Sequence, residues 1–434
     1  MKAIIIGCGD RGRRYAQYSL NHPDEMEIAA IAEPVDAKVQ YMKDLHKLQD
    51  NQIYSDWREI AEKPRFADFV VISTQDAMHC EPALAFIDRG YDILLEKPMA
   101  PTPEECKKIK EAAEKKGVKV VVCHVLRFTK FWYKIKEMID NGDVGEIMSI
   151  THMENVGNLH QSHSFVRGNW NRAEDSAPMI LAKSCHDTDL VQWLIGKECK
   201  KVQSFGSLTH FNKENKPEGA PHRCTDNCPY YDSCYYNAVW QYCVCTESDS
   251  VGRRVVVANK MNPTDEEVME ALRTGPYGRC VYDCDNDVVD HQVVNMEFDG
   301  GATVSFTMNA FNKGGRFMRI FGTKGEIYAD METNKIEYFS FDTRETTEIQ
   351  MEQIGQHIDS GHGGGDTGIV RDCLKYFSNQ TPSKSVCSTR VSYLSHLIAF
   401  AAEKSRLSSL AFFIEFSVVS ERRLISAYSE SLTG

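Results

Sequence analysis

The chain has 434 residues, 42% hydrophobic and 26% charged, a composition that suits two globular domains and argues against disorder. Its 50 basic and 62 acidic residues leave a net charge of −12, which repels phosphate backbones and speaks against a nucleic-acid partner. No apolar run approaches the roughly 18 residues that span a bilayer, the apolar run after Met1 is too short for a signal peptide, and the odd count of 15 cysteines reads as reduced thiols of a cytoplasmic protein rather than a disulfide framework.

The first 123 residues alternate strand and helix. Continuous aliphatic runs at 3–6, 27–33, 68–73, 92–96 and 118–123 have the composition of strands buried on both faces. Helical patterns fill the gaps at 11–20, 35–48, 81–89 and 103–116. The last opens with Thr102-Pro103-Glu104-Glu105, a capping residue followed by a first-turn proline and two acids near the positive end of the helix dipole. This alternation predicts a parallel, doubly wound sheet.

Gly7-Cys8-Gly9-Asp10-Arg11-Gly12 lies between the first strand and the first helix, the context in which G-x-G-x-x-G binds a dinucleotide. The glycines allow the tight turn and close backbone approach, and the helix N-terminus offers unpaired N–H groups to pyrophosphate. Glu33 ends the second strand, where a carboxylate receives the adenosine ribose hydroxyls and repels a 2′-phosphate, so NAD is favoured over NADP. Gly7, Gly9, Asp10, Arg11, Gly12 and Glu33 are therefore the candidate cofactor residues at this end. The strand at 92–96 delivers Glu96-Lys97-Pro98 at its carboxyl end, where ligands sit in open α/β sheets. Pro98 suits a cis bond or sharp turn, and Lys97 is a candidate acid or base; the competing reading is an exposed lysine after a strand.

After a helix at 128–141 the pattern changes. Strand-like runs follow one another at 146–154, 201–209, 288–298, 302–309, 317–322, 326–329 and 335–341, with turn signals at Asp299-Gly300-Gly301 and Thr323-Lys324-Gly325. The chain thus reads as α/β: an N-terminal Rossmann domain over 1–123, a C-terminal α+β domain with an open, mostly antiparallel sheet over 124–406, and a tail over 407–434 that does not look like the short terminal strand expected after Arg406. Lys183, His186, Asp187 and Leu190 share one face of a helical pattern, which suits a cavity wall or an ordinary helix N-terminus. Asp366, just before a helix at 367–377, reads as an N-cap, and His362 as a loop histidine near it. Cys224, Cys228 and Cys234 follow C-x3-C-x5-C, with Cys280 as a distant fourth. Such thiols can surround zinc or an iron–sulfur cluster, but no C-x2-C pair is present and free cysteines also pack as small apolar residues, so no metal is assigned.

Gly7 to Gly12, a strand ending in Thr74 with His79 five residues on, Glu96-Lys97-Pro98, and a helix entered through His186 with Asp189 three later together resemble the glucose–fructose oxidoreductase/inositol dehydrogenase (Gfo/Idh/MocA) family over about residues 1–406. The resemblance implies NAD(P), a polyol, sugar, cyclitol or sugar-acid substrate with a secondary alcohol or ketone as the reacting group, and a homodimer or homotetramer. It implies catalysis by Lys97 and His186, with the substrate proton passing to Lys97 directly or through His186. Thr74, His79 and Glu96 fall in the cofactor set, and Arg127 and Asp187 on the substrate side. One departure is Ala182, where many inositol-dehydrogenase-like members carry aspartate. Lys183 beside it is then expected to share the catalytic role or to pair with an acidic substrate. Two alternatives accompany the dehydrogenase: a redox-neutral, NAD-dependent glycosidase, and a non-catalytic regulator that binds NAD and sugar.

Overall fold

A computed structural model describes residues 1–246, 250–352, 363–414 and 424–426. Six strands build the first sheet: β1 (Lys2–Ile6), β2 (Glu27–Ala32), β3 (Ile53–Tyr54), β4 (Phe69–Ile72), β5 (Asp92–Leu95) and β6 (Val120–Val122). Their order is β3-β2-β1-β4-β5-β6 and every pairing is parallel. Alternate residues of one strand feed opposite cores. Ile4, Ile6, Val70, Ile72 and Leu95 pack with Phe86 of α4 (Cys80–Asp88) and Ile109 of α5 (Pro103–Lys116). Ala3, Ile5, Phe69, Val71 and Leu94 pack with Tyr15 of α1 (Asp10–Asn21) and Met42 of α2 (Asp36–His46). Burial on both faces is why these strands show no polar alternation. The two-residue β3 and the one-turn helix α3 (Trp57–Ala61) are too short to leave a periodic signal.

After α6 (Lys130–Asp140) the chain enters a ten-stranded sheet: β7 (Ile147–Asn155), β8 (Cys199–Ser207), β9 (His291–Phe298), β10 (Thr303–Asn309), β11 (Gly315–Gly322), β12 (Gly325–Asp330), β13 (Lys335–Ser340), β14 (Thr346–Gln350), β15 (Phe412–Ile414) and β16 (Leu424–Ser426). The order is β14-β13-β12-β11-β7-β10-β9-β8-β15-β16. Among the described residues β7 and β10 pair parallel, with Thr303 opposite Ser149, and the other neighbours are antiparallel. Tyr393, Leu397, Ile398 and Ala401 of the helix Thr389–Ser408 share the core of its inner face with Val202, Val294 and Met296. Met148, Met153, Phe205 and Tyr328 stand exposed on its strands.

Two sequence expectations change here. The tail after Arg406 does begin with a terminal strand: Phe412 pairs with Val202 and Phe413 with Lys201, and Phe412 is buried. The strand is three residues long and draws its stability from the sheet edge it completes, which a local reading cannot see. The helix Gly365–Phe377 packs Ile369, Cys373 and Phe377 against the first sheet, so the chain returns to its first domain before ending. All 15 cysteines are unpaired, and no helix among the described residues is long and apolar enough to cross a membrane.

Candidate active site

The glycine turn sits at the carboxyl end of β1. Gly7 has φ +84°, and a Cβ there would stand 2.7 Å from the Ser73 carbonyl oxygen. A Cβ on Gly12 would meet the Gly7 carbonyl at 2.0 Å, so only glycine lets α1 close onto the turn. A Cβ on Gly9 would have nothing within 4 Å. That open side, beside the first N–H groups of α1, fits a pyrophosphate. Cys8 N donates to Glu33 Oε2 at 2.7 Å and Val35 N to Oε1 at 3.1 Å, so the buried Glu33 carboxylate holds the turn against the start of α2. Asp10 is exposed, its carboxylate 2.8 Å from Arg14 Nε on the surface of α1.

Glu96 closes the end of β5 and is buried. Its Oε1 accepts from Arg11 Nε at 2.6 Å and from the Tyr15 hydroxyl at 2.5 Å, and its Oε2 from Lys97 N at 2.8 Å. Burial alone would push this carboxyl up, but the charges of Arg11 and Lys97 and the Tyr15 hydrogen bond outweigh it and hold it below the ordinary carboxylate range. Arg11, expected to touch the cofactor, is thus committed to protein carboxylates: its other two nitrogens reach Asp366 at 2.6 and 3.0 Å. Asp366 was expected to cap a helix. Instead Gly364, in the left-handed region at φ 85°, occupies the cap position, and Asp366 serves as the second anion on Arg11. His362 lies outside the described residues.

The Lys97–Pro98 peptide is cis. His79, buried, has Nδ1 2.7 Å from the Pro98 carbonyl oxygen and Nε2 3.2 Å from that of Thr74, so its ring spans the two strand-end turns. Thr74 Oγ1 donates to the Met78 carbonyl at 3.1 Å. Lys97 Nζ reaches across to the second domain and donates to the Ala182 carbonyl at 2.9 Å. At Ala182, the position noted as a departure from members that carry aspartate, it is the backbone carbonyl that receives the lysine.

The helix Cys185–Ile195 begins two residues after Lys183, so Lys183 stands at the joint before it rather than on its face. Lys183 Nζ lies 3.1 Å from Glu154 Oε1. Arg316 Nε lies 2.7 Å from Glu154 Oε2 and 2.8 Å from Asp187 Oδ1, and His152 Nε2 lies 2.8 Å from the same Asp187 oxygen. Asp187, expected to touch substrate, is fully buried in this network. Burial raises its carboxyl, but Arg316 and His152 prevail and hold it well below the usual carboxylate range. Arg127, also expected at the substrate, is buried and binds Asp189 through Nε and Nη2, both at 2.6 Å. The His186 ring stands edge-on to His124 with centroids 6.1 Å apart. His160 adds a further ring near Lys183; burial and the cations Lys183 and Arg253 hold its pKa well below the ordinary value.

Sequence reasoning missed Glu154, His152 and Arg316. The signal was present in β7: from Ile150 on, alternate residues face inward, which puts His152 and Glu154 on the core side, where a polar residue requires a partner. Arg316 sits directly opposite Glu154 in the β7–β11 register, a pairing that only the sheet reveals.

Two family models match the chain: the NAD-binding Rossmann fold of an oxidoreductase family over residues 1–124, and the C-terminal alpha/beta domain of the same family over 136–380. A putative oxidoreductase, YteT, from Bacillus subtilis is 26% identical over 328 residues, 70% of this chain and 71% of that protein. An inositol 2-dehydrogenase from Salmonella typhimurium is 24% identical over 207 residues, and there the match spans 47% of this chain and 57% of the relative. Among solved structures, levoglucosan dehydrogenase in complex with NADH and levoglucosan superposes with TM-score 0.69 at 18% identity, covering 95% of this chain and 99% of that one. An oxidoreductase domain protein from Kribbella flavida superposes with TM-score 0.68 at 17% identity over 95% and 99%.

Proposed function

The chain belongs to the Gfo/Idh/MocA oxidoreductase family, and we propose on that premise that it is an NAD-dependent dehydrogenase or reductase for a secondary alcohol or ketone of a sugar, cyclitol or sugar acid. One observation carries the reading: the 2.9 Å bond from Lys97 Nζ to the Ala182 carbonyl brings the amine at the end of the first sheet onto the segment that presents Lys183 and His186. The family's NAD-binding fold supports a nicotinamide cofactor, which supplies the hydride acceptor or donor when bound.

The protein's own groups do the rest. Gly7, Gly9 and Gly12 with the N-terminus of α1 hold the pyrophosphate, and Glu33 takes the ribose and disfavours a 2′-phosphate. Thr74, His79 and Glu96 shape the strand-end turns that receive the nicotinamide end, and Arg11 acts through Glu96 as a positioning residue. Asp10, exposed beside the turn, is the least engaged of the cofactor set. Lys97 accepts the substrate hydroxyl proton during oxidation and returns it during reduction. His186 orients the reacting hydroxyl. Lys183, steadied by Glu154, offers an ammonium to a hydroxyl or carboxylate of the substrate. Arg127 and Asp187 act at one remove, fixing the His186 helix through Asp189 and Arg316. The unpaired thiols support a cytoplasmic setting, and the exposed Met148, Met153 and Phe205 support self-association through the second sheet.

Replacing Lys97→Met tests the core of this. Turnover with a responsive polyol should fall about 10²- to 10⁴-fold, the range for loss of a general acid–base group, while NAD affinity measured by calorimetry stays within a factor of a few. Full activity in that variant sinks the assignment.

A further inference from the structure

Residues 217–237 form turns without a helix or strand of their own. They are pinned to the chain 54 to 58 residues on by Cys224 N donating to the Gly278 carbonyl at 2.9 Å, Cys280 N donating to the His222 carbonyl at 2.8 Å, and an isolated bridge between Arg223 and Arg279. The result is that Cys224, Cys228, Cys234 and Cys280 line one small cavity of about 20 Å³. These thiols differ from Cys8, Cys106, Cys123, Cys199 and Cys373, which are fully buried and pack as apolar residues. The four are half-buried and share one space. Arg167, buried, directs Nη2 to within 3.8 Å of Cys224 Sγ and also donates to the Arg279 and Tyr236 carbonyls, both at 2.7 Å, and to Gln241 Oε1 at 3.2 Å.

Among the described residues, the set of three potential ligand atoms lying within 4.8 Å of one another is His124, Asp189 and Cys387; no three of the four sulfurs of the turn region stand that close. That set is already satisfied, because Asp189 carries the Arg127 guanidinium and an added cation would face it at close range. The four thiols of the turn region include no carboxylate already paired to an arginine, and the cation beside them, Arg167, donates to Cys224 Sγ and offsets the negative charge that four thiolates bring to one ion. We infer that Cys224, Cys228, Cys234 and Cys280 form a four-thiolate metal site, which takes a zinc ion or an iron–sulfur cluster. Either centre uses the same ligand chemistry. A single zinc ion requires the sulfurs to draw inward from where they stand, whereas a cluster holds them apart, since each thiolate binds a different iron. Each thiol that ligates forms a sulfur–metal bond and releases its proton to solvent, with no change of oxidation state. The centre staples a stretch of turns that has little regular structure to hold it.

The test is metal analysis of the full chain purified without oxygen from cells grown with added zinc and iron. Stoichiometric zinc without colour, or iron with acid-labile sulfide and broad visible absorption, supports the site and tells the two centres apart. The double variant Cys228→Ser, Cys234→Ser should lose the metal, while Cys245→Ser, outside the cavity, should keep it. Should the double variant fail to fold, stripping the native chain with a mercurial and a chelator provides the second measurement: metal release with a lower melting temperature supports the site. A chain that holds neither metal, a double variant that keeps it, or melting unmoved by stripping overturns the inference.

Discussion

Arg316→Met isolates the charge network behind the candidate site. The change removes the cation shared by Glu154 and Asp187, which are 2% and 0% exposed. Leaving a buried carboxylate unpaired costs about 3–5 kcal/mol, an upper value here because His152 stays on Asp187 and Lys183 on Glu154. An independent bound agrees. Asp187 can escape by taking a proton, and at 1.36 kcal/mol per unit, from an unfolded value of about 3.9 to pH 7, that costs at most about 4 kcal/mol. In the native protein the Asp187 carboxyl is held below its unfolded value, so its stabilising contribution is present above about pH 4 and is lost as pH falls toward the folded value. In the variant the carboxyl moves the other way, and the bound shrinks to about 1.5 kcal/mol at pH 5, because that pH lies only about one unit above the unfolded value. Urea unfolding followed by tryptophan fluorescence at pH 7 and pH 5 measures both values. A loss under about 1 kcal/mol at pH 7, or an equal loss at both pH values, refutes the reasoning. Arg316→Lys should recover part of the stability, since the charge remains while the fork geometry that reaches both carboxylates is gone.

Gly12→Ala places a methyl 2.0 Å from the Gly7 carbonyl, so the turn must open; NAD affinity by fluorescence titration should fall at least about tenfold, and unchanged affinity contradicts the proposed pyrophosphate cradle. Glu33→Gln removes the charge that repels a 2′-phosphate, so the NADP-to-NAD ratio of kcat/KM should rise by about tenfold; a ratio that stays put removes Glu33 from cofactor choice. Phe205→Glu puts a charge on the exposed face of the second sheet, and sedimentation should show a smaller assembly than the parent chain; an identical mass excludes that face as the interface.

Much of the fold was legible before any coordinates. Five of the six strands of the first sheet announced themselves because burial on both faces demands unbroken aliphatic runs, and the start of α5 was readable because Thr102, Pro103 and the two acids after it are local signals. The glycine turn, Glu33 and Glu96-Lys97-Pro98 were readable for the same reason: their chemistry depends on residues adjacent in sequence. The short β3, β14 and β15 were not, since each forms only because a neighbouring edge is already there to pair with.

The site divides along the same line. Local motifs and the family resemblance nominated Lys97, Lys183, His186, Arg11, Arg127 and Asp187 as chemical groups. Which of them meet the open site, and which are consumed by each other, was decided by the tertiary structure: Asp366 reaches Arg11 across 355 residues and Asp189 reaches Arg127 across 62. A charged side chain acts according to the nearest opposite charge it finds once water is excluded. Local sequence sets how a strand or turn forms, but it carries no record of which distant cation will be folded against a given carboxylate.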